Sequence, residues 1–149
     1  MTVVRLTAAH IPALAALEAQ CFSKPWSANG IAAELENAAA RFLVAETNGE
    51  VVGYIGVHEV AGEGYIANLA VHEQHRRRGV ASALLRAAEE GALNRGVAFL
   101  TLEVRASNFA AIALYTRNGY AVVGHRPRFY SAPTEDAVLM TKVLTEETL

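Results

Sequence analysis

The stretch YIANLAVHEQHRRRGVASALLRAAEEGALNRGVAFLTLEV, residues 65–104, decides the fold. It opens on an apolar run at 65–71 that reads as a strand. A charged segment at 72–78 follows and breaks at Gly79. From Val80 to about Asn94 the chain is rich in alanine and leucine, and Val80, Leu84, Leu85 and Ala88 recur on one helical face. A second strand occupies 99–104. A strand, a helix and a strand joined in this way form a right-handed parallel crossover.

Toward the N-terminus, residues 41–47 and 51–60 read as strands joined by Asn48-Gly49, a two-residue hairpin signal. Gly62-Glu63-Gly64 turns the chain into the strand at 65–71. Before them, Ile11, Leu14, Leu17 and Cys21 repeat at helical spacing, with Pro12 in the first turn where a missing N–H is harmless. Ser27 reads as the N-cap of a second helix running to about Asn37, with Trp26 and Ile31 at its staple positions. Residues 3–6 are a short first strand. Toward the C-terminus, Ser107-Asn108 precedes a helix through Asn118, Gly119 fits its stop, and strands follow at 120–126 and 137–144. The order β-α-α-β-β-β-α-β-α-β-β predicts an α/β fold. Its sheet is mixed and mostly antiparallel, flanked by helices, with one central parallel crossover. Its length, 149 residues without repeat or linker, fits one domain over 1–149.

The composition, 52% hydrophobic and 19% charged, is that of a globular domain. A net charge of −2 and a pI near 6.2 argue against a nucleic-acid-binding domain, which carries a basic excess. Met1 is not followed by a basic segment and a long apolar run, and no stretch of about 18 apolar residues occurs, so neither a signal peptide nor a membrane span is expected. Cys21 is the single cysteine and lies on an apolar helix face, where a buried structural thiol is the expected role. These readings together point to the cytoplasm. His72, Glu73 and His75 lack the further ligands of a metal site, so no metal is expected.

Three places carry candidate chemistry. Residues 76–81, Arg-Arg-Arg-Gly-Val-Ala, follow a strand and open a helix, where backbone N–H groups and the helix dipole attract anions and Gly79 allows close approach. A pyrophosphate-bearing cofactor suits this loop, and a solvated basic turn is the plain alternative. The loop has neither the Gly-Lys-Ser/Thr of a P-loop nor the spaced glycines of a dinucleotide fingerprint. On the strand at 99–104, alternation puts Phe99, Thr101 and Glu103 on one face and Leu100, Leu102 and Val104 on the other. Glu103 is thus either a partner for Arg105 or another cation, or a general base. Tyr115, on the last helix, is either a core aromatic or a phenol that protonates a leaving thiolate. Asn108 is either an N-cap or a ligand contact.

The motif Arg76-x-x-Gly79-x-Ala81 resembles the acetyl-CoA-binding pattern of GNAT acetyltransferases, as does the preceding Asn68-Leu69-Ala70-Val71. The run from Leu102 to Asn108, with 110–115 and Gly119-Tyr120, resembles more narrowly the bacterial ribosomal-protein-alanine N-acetyltransferases of that family. Pro25-Trp26-Ser27, Phe129-Tyr130 and Glu135-Asp136-Ala137 fit the same branch. The resemblance spans about residues 3–144. It implies acetyl-CoA as co-substrate, with Leu69, Ala70 and Val71 binding its acetyl and pantetheine part through backbone. It further implies Arg76, Arg77, Arg78, Gly79, Val80 and Ala81 around the pyrophosphate, Asn108 on the cofactor, Glu103 as general base and Tyr115 as general acid. The implied acceptor is a protein N-terminus, in this branch the alanine of a small-subunit ribosomal protein. Phe129 departs from the tyrosine frequent there.

Two other readings compete. The acceptor could instead be a lysine or a small amine, and a small-amine site should carry extra acidic residues, for which Glu34, Glu36, Glu59 and Glu63 are available. A non-catalytic acyl-CoA-binding module has no use for both Glu103 and Tyr115.

Overall fold

The computed structural model describes residues 1–147. Its strands are β1 (Thr2–Arg5), β2 (Ala40–Thr47), β3 (Glu50–Val60), β4 (Glu63–Val71), β5 (Phe99–Arg105), β6 (Ala121–Tyr130) and β7 (Glu135–Val143). Its helices are α1 (Ile11–Cys21), α2 (Ala28–Leu35), α3 (Val80–Asn94) and α4 (Phe109–Arg117). Short 3-10 turns at Ala8–His10 and Glu73–His75 complete the order. The strands form one seven-stranded sheet in the order β1-β2-β3-β4-β5-β7-β6, antiparallel except for the β4–β5 pair. The predicted mixed architecture is therefore observed. No helix among the described residues is long and apolar enough to cross a membrane.

Local chemistry explains most boundaries. Asn48 and Gly49 take φ values of 52° and 79°, the conformation of a type I′ hairpin. The β3–β4 turn also has two residues, Ala61 (φ 52°) and Gly62 (φ 79°), so β4 starts earlier than expected, at Glu63. Val60 pairs with Glu63, which leaves only two residues to close the loop and forces an alanine into the left-handed region. Ser27 caps α2 by accepting from the Gly30 N–H at 3.0 Å. At the other end, β6 runs on to Tyr130 rather than stopping at Arg126. It is an edge strand, where Pro127 loses no ladder bond.

Each sheet face has its own apolar cluster. Leu84, Leu85, Leu100, Leu102 and Met140 lie on the face covered by α3 and α4. Leu14, Leu17, Ile31, Phe42 and Val44 lie on the opposite face, under α1 and α2. Trp26, Phe42 and Tyr54 stack in series there, at 5.9 and 6.2 Å between centroids.

One irregularity positions the site. β4 and β5 pair over only three residues, from Glu63↔Phe99 to Tyr65↔Thr101. Beyond that point β4 follows β3 to Val71, while β5 follows β7 to Arg105. The register of β4 slips between Ile66 and Asn68, which makes Ala67 a bulged residue. A bulge bends its strand, and here it opens the sheet into a cleft between β4 and β5.

Candidate active site

The two parallel strands end in the two helices expected to face a ligand. In an α/β crossover the crevice beyond the carboxyl ends of parallel strands is the usual binding place. Strand β4 leads to the loop at 76–81 and α3, and β5 leads to Asn108 and α4.

The His72 N–H donates to Val52 O at 2.8 Å. Alternation along the antiparallel β3–β4 ladder then turns the N–H and C=O groups of Leu69 and Val71 away from β3. The Val71 carbonyl is taken by Arg76 Nε and Cys21 Sγ, which leaves the Leu69 groups and the Val71 N–H for the cleft. Gly79 is the N-cap of α3 with φ 80° and ψ 10°, and it supplies no capping side chain, so the N–H groups of the first turn stay available. Nothing lies within 4 Å of where a Cβ on Gly79 would stand. Arg77 also takes a positive φ, 63°. Backbone turned outward in this way, at a helix N-terminus, forms a cradle for an anion. A pyrophosphate suits the cradle, and an extended pantetheine arm suits the exposed edge of β4. Arg77 and Arg78 are exposed beside it. Arg76 is turned back, its Nε donating to Val71 O at 3.1 Å and its Nη2 to Cys21 Sγ at 3.5 Å. Asn108 caps α4, its side chain accepting from the Ala111 N–H at 3.1 Å.

Glu103 lies on the face of β5 predicted from alternation, with Leu102 and Val104 buried on the other side. It makes no ion pair with Arg105. That guanidinium binds Ser131 O and Pro133 O at 3.0 Å each and reaches Glu135 Oε1 at 3.3 Å. The cation-partner reading of Glu103 is thereby replaced by a different arrangement. Glu103 Oε2 is buried and has no hydrogen-bond partner among the described residues. A buried acceptor left unmatched is costly, which makes Glu103 a candidate acceptor for an N–H donor.

Two tyrosines flank this carboxylate, and the sequence reading singled out neither for a role. Burial, then the Glu103 carboxylate facing its hydroxyl, raise Tyr65 above its ordinary pKa, with Arg126 opposing. Burial and Glu103 likewise push Tyr130 up to about 12, with Arg105 opposing. Arg105 lies 4.5 Å over the Tyr130 ring and so holds this tyrosine in place. The β6–β7 loop is thus tied to β5, and Lys24 Nζ adds a contact from the α1–α2 loop to Ser131 Oγ at 3.2 Å. Only the neighbourhood of Phe129-Tyr130 hinted at this in the sequence.

Tyr115 comes from the other face of the sheet. It is 8% exposed and packs edge-on against Tyr120 at 5.7 Å, so the core reading holds for its ring. Burial, with a smaller contribution from Tyr130, pushes its hydroxyl up to about 12. Tyr130 therefore interacts with both Glu103 and Tyr115. Four acidic residues weighed for an amine pocket lie elsewhere. Glu34 pairs with His58 at 2.9 Å, Glu59 binds Arg95 at 2.6 Å, and Glu36 and Glu63 are exposed. Cys21 is half-buried against Val71 O at 3.6 Å. Among the described residues no His/Cys/Asp/Glu group could hold a metal ion.

Residues 11–120 match the family described as Acetyltransferase (GNAT) family. The chain belongs to the GNAT acetyltransferase family. It is an acyltransferase of that family, whose members use acetyl-CoA. It is 33% identical over 141 residues to the [ribosomal protein bS18]-alanine N-acetyltransferase of Escherichia coli K12, covering 93% of this chain and 95% of that one. The crystal structure of the ribosomal-protein-S18-alanine N-acetyltransferase from Escherichia coli superposes with a TM-score of 0.89 at 32% identity, over 97% of this GNAT chain and 94% of that one. Ard1 from Thermoplasma volcanium superposes with a TM-score of 0.90 at 25% identity, over 97% and 98%.

Proposed function

We propose that this GNAT chain moves the acetyl group of acetyl-CoA to the N-terminal α-amine of a protein in the cytoplasm. The substrate class is an N-terminal alanine, as named for the Escherichia coli relative, and the candidate partner is a ribosomal protein of the bS18 type. The observation that carries the reading is the buried, unmatched Glu103 Oε2 beside the β4–β5 cleft.

Acetyl-CoA, when bound, supplies an activated acetyl thioester. Leu69 and Val71 present backbone groups along the cleft, with Ala70 between them, and residues 76–81 present N–H groups and positive charge to the phosphates. Asn108 caps the helix on the opposite side of the cleft and keeps its amide nitrogen for a cofactor contact. Glu103 takes the proton from the incoming amine, directly or through water. An α-amine, with pKa about 7.7–8.0, needs only about 0.5 kcal/mol to become neutral at about pH 7.4, against roughly 4 for a lysine of pKa about 10.4. One carboxylate suffices for the first task.

Tyr115 holds a proton at the cleft for the departing thiolate. Reference values make that transfer only slightly uphill, but burial raises this phenol to about 12. Against a thiol of about 8.5 the gap becomes roughly 3.5 units, or about 5 kcal/mol. Positioning of the phenol against the sulfur must offset it.

The test is a peptide with a free N-terminal alanine and an internal lysine, with fragmentation of the product to locate the acetyl group. Acetyl on the α-amine is expected. A peptide blocked at its N-terminus is the control, and comparable acetylation of that peptide would overturn the reading in favour of a lysine or small-amine acceptor.

A further inference from the structure

A buried carboxylate far from Glu103 has no role in the chemistry above. Glu18, on α1, is 0% exposed. Its Oε1 accepts from the Trp26 backbone N–H at 2.9 Å. Its Oε2 accepts from the Tyr54 hydroxyl at 2.9 Å and from Asn68 Nδ2 at 2.8 Å. Asn68 Nδ2 also reaches the Tyr54 oxygen at 3.0 Å. The charge of Glu18, after burial, helps raise the Tyr54 phenol far above its ordinary value, so Tyr54 stays a neutral donor.

Three separate segments therefore meet on one carboxylate: the α1–α2 loop, β3 and β4. The β4 member is the informative one. Asn68 is the first residue after the Ala67 bulge and stands immediately before Leu69. It lies where β4 has already left β5. A bulge bends a strand but does not fix how far it bends. The pull on Asn68 toward α1 supplies that constraint, since a hydrogen bond to a buried charge is strong and directional. The sheet would otherwise gain by pairing the edges of β4 and β5 across the cleft.

We propose that Glu18 is a positioning residue for the cofactor: through Asn68 it holds β4 away from β5 and keeps the Leu69 and Val71 backbone groups facing the cleft. The inference rests on the reading that this cleft takes acetyl-CoA. It predicts a pattern among three contacts that share the same carboxylate. Asn68→Ala removes the link to β4 and leaves Glu18 with Trp26 and Tyr54. Glu18→Gln leaves one oxygen for three donors. Tyr54→Phe removes one donor to Glu18 and the second acceptor of Asn68 Nδ2, but keeps the Trp26–Glu18 and Asn68–Glu18 bonds.

The experiment is titration of coenzyme A into the full-length wild type and the three variants by calorimetry, with melting temperatures measured alongside. Asn68→Ala and Glu18→Gln are expected to weaken coenzyme A binding about tenfold or more, at roughly 1.4 kcal/mol per tenfold. Tyr54→Phe is expected to stay within about threefold of the wild type by the same scale, although its melting temperature falls too. If Glu18→Gln fails to fold, Asn68→Ala carries the test alone. Binding by Asn68→Ala at wild-type affinity overturns the proposal, as does equal weakening in Asn68→Ala and Tyr54→Phe. A wild type that does not bind coenzyme A overturns the cofactor reading itself, and this inference with it.

Discussion

Replacing Gly79 separates the strain of the anion loop from its ligand. Gly79 sits at φ 80° with open space where a side chain would project. No clash therefore adds to the backbone term in the free protein. An L-residue in the left-handed region costs about 1–2 kcal/mol. The reduced freedom of the unfolded chain returns roughly 0.4–1 kcal/mol. Gly79→Ala should therefore destabilise the free protein by about 1 kcal/mol, which is about 2–4 °C in Tm for a chain of this size. Gly79→Val, with a β-branched side chain, should lose somewhat more without unfolding. Acetyl-CoA at about 100 times its Kd should stabilise the wild type by roughly 2.7 kcal/mol, or about 5–10 °C by the same conversion. In Gly79→Val that gain should vanish, because the new side chain fills the approach to the N–H groups. Thermal unfolding with and without acetyl-CoA reads both effects in one series. A full ligand-induced shift in Gly79→Val would refute the reasoning, and so would the lack of any shift in the wild type.

Glu103→Gln should lower turnover by roughly 10²–10⁴-fold, and the deficit should narrow toward high pH, where the amine is already neutral; a pH–rate profile of variant and wild type checks this. Tyr115→Phe keeps the edge-on packing against Tyr120, so turnover should fall while coenzyme A affinity and Tm stay close to wild type. Activity near the wild-type rate would remove Tyr115 from the mechanism. Tyr54, Tyr115 and Tyr120 are buried and all raised in pKa. Their protons are held by the folded state and released by the unfolded chain above about pH 10, so stability is complete below that value and falls as pH rises beyond it. The loss builds to roughly 4 kcal/mol between about pH 9 and 11, about 1.36 for each of the three groups. Chemical denaturation between about pH 9 and 11 measures it, and a flat curve would contradict the assignment.

Much of the fold can be read from local pattern because its signals are local. The apolar face of α3 was legible at Val80, Leu84, Leu85 and Ala88, and all four are buried. Alternation on β5 put Glu103 on the face it occupies. What escaped depends on distant partners. Ala67 carries no mark of a bulge, since the slip is set by pairing with Gly56 and Val57. Arg105 is a near neighbour of Glu103 in sequence, yet its contacts are with residues 131–135, which only the β5–β7 pairing brings close. In sequence Tyr65 is one more apolar strand residue, whereas at 37% exposure it stands at the last β4–β5 pair, where the cleft begins. Glu18 did leave a trace. It stands four residues after Leu14, on the apolar stripe of α1, where a carboxylate needs a buried partner.

The short parallel ladder between β4 and β5 has a consequence for hydrogen exchange. Three residue pairs join the two halves of the sheet, and the amides of Leu69 and Val71 lie past the last of them. Unpaired amides exchange near the unprotected rate even when their neighbours are locked by global stability. Leu69 and Val71 should therefore exchange quickly in the free protein, while Ala70, bonded to β3, exchanges slowly. A bound pantetheine arm would take the place of a missing strand and remove that contrast, slowing Leu69 and Val71 to match Ala70. The seam is thus a built-in reporter, in which alternate residues of a single strand distinguish the empty protein from the loaded one.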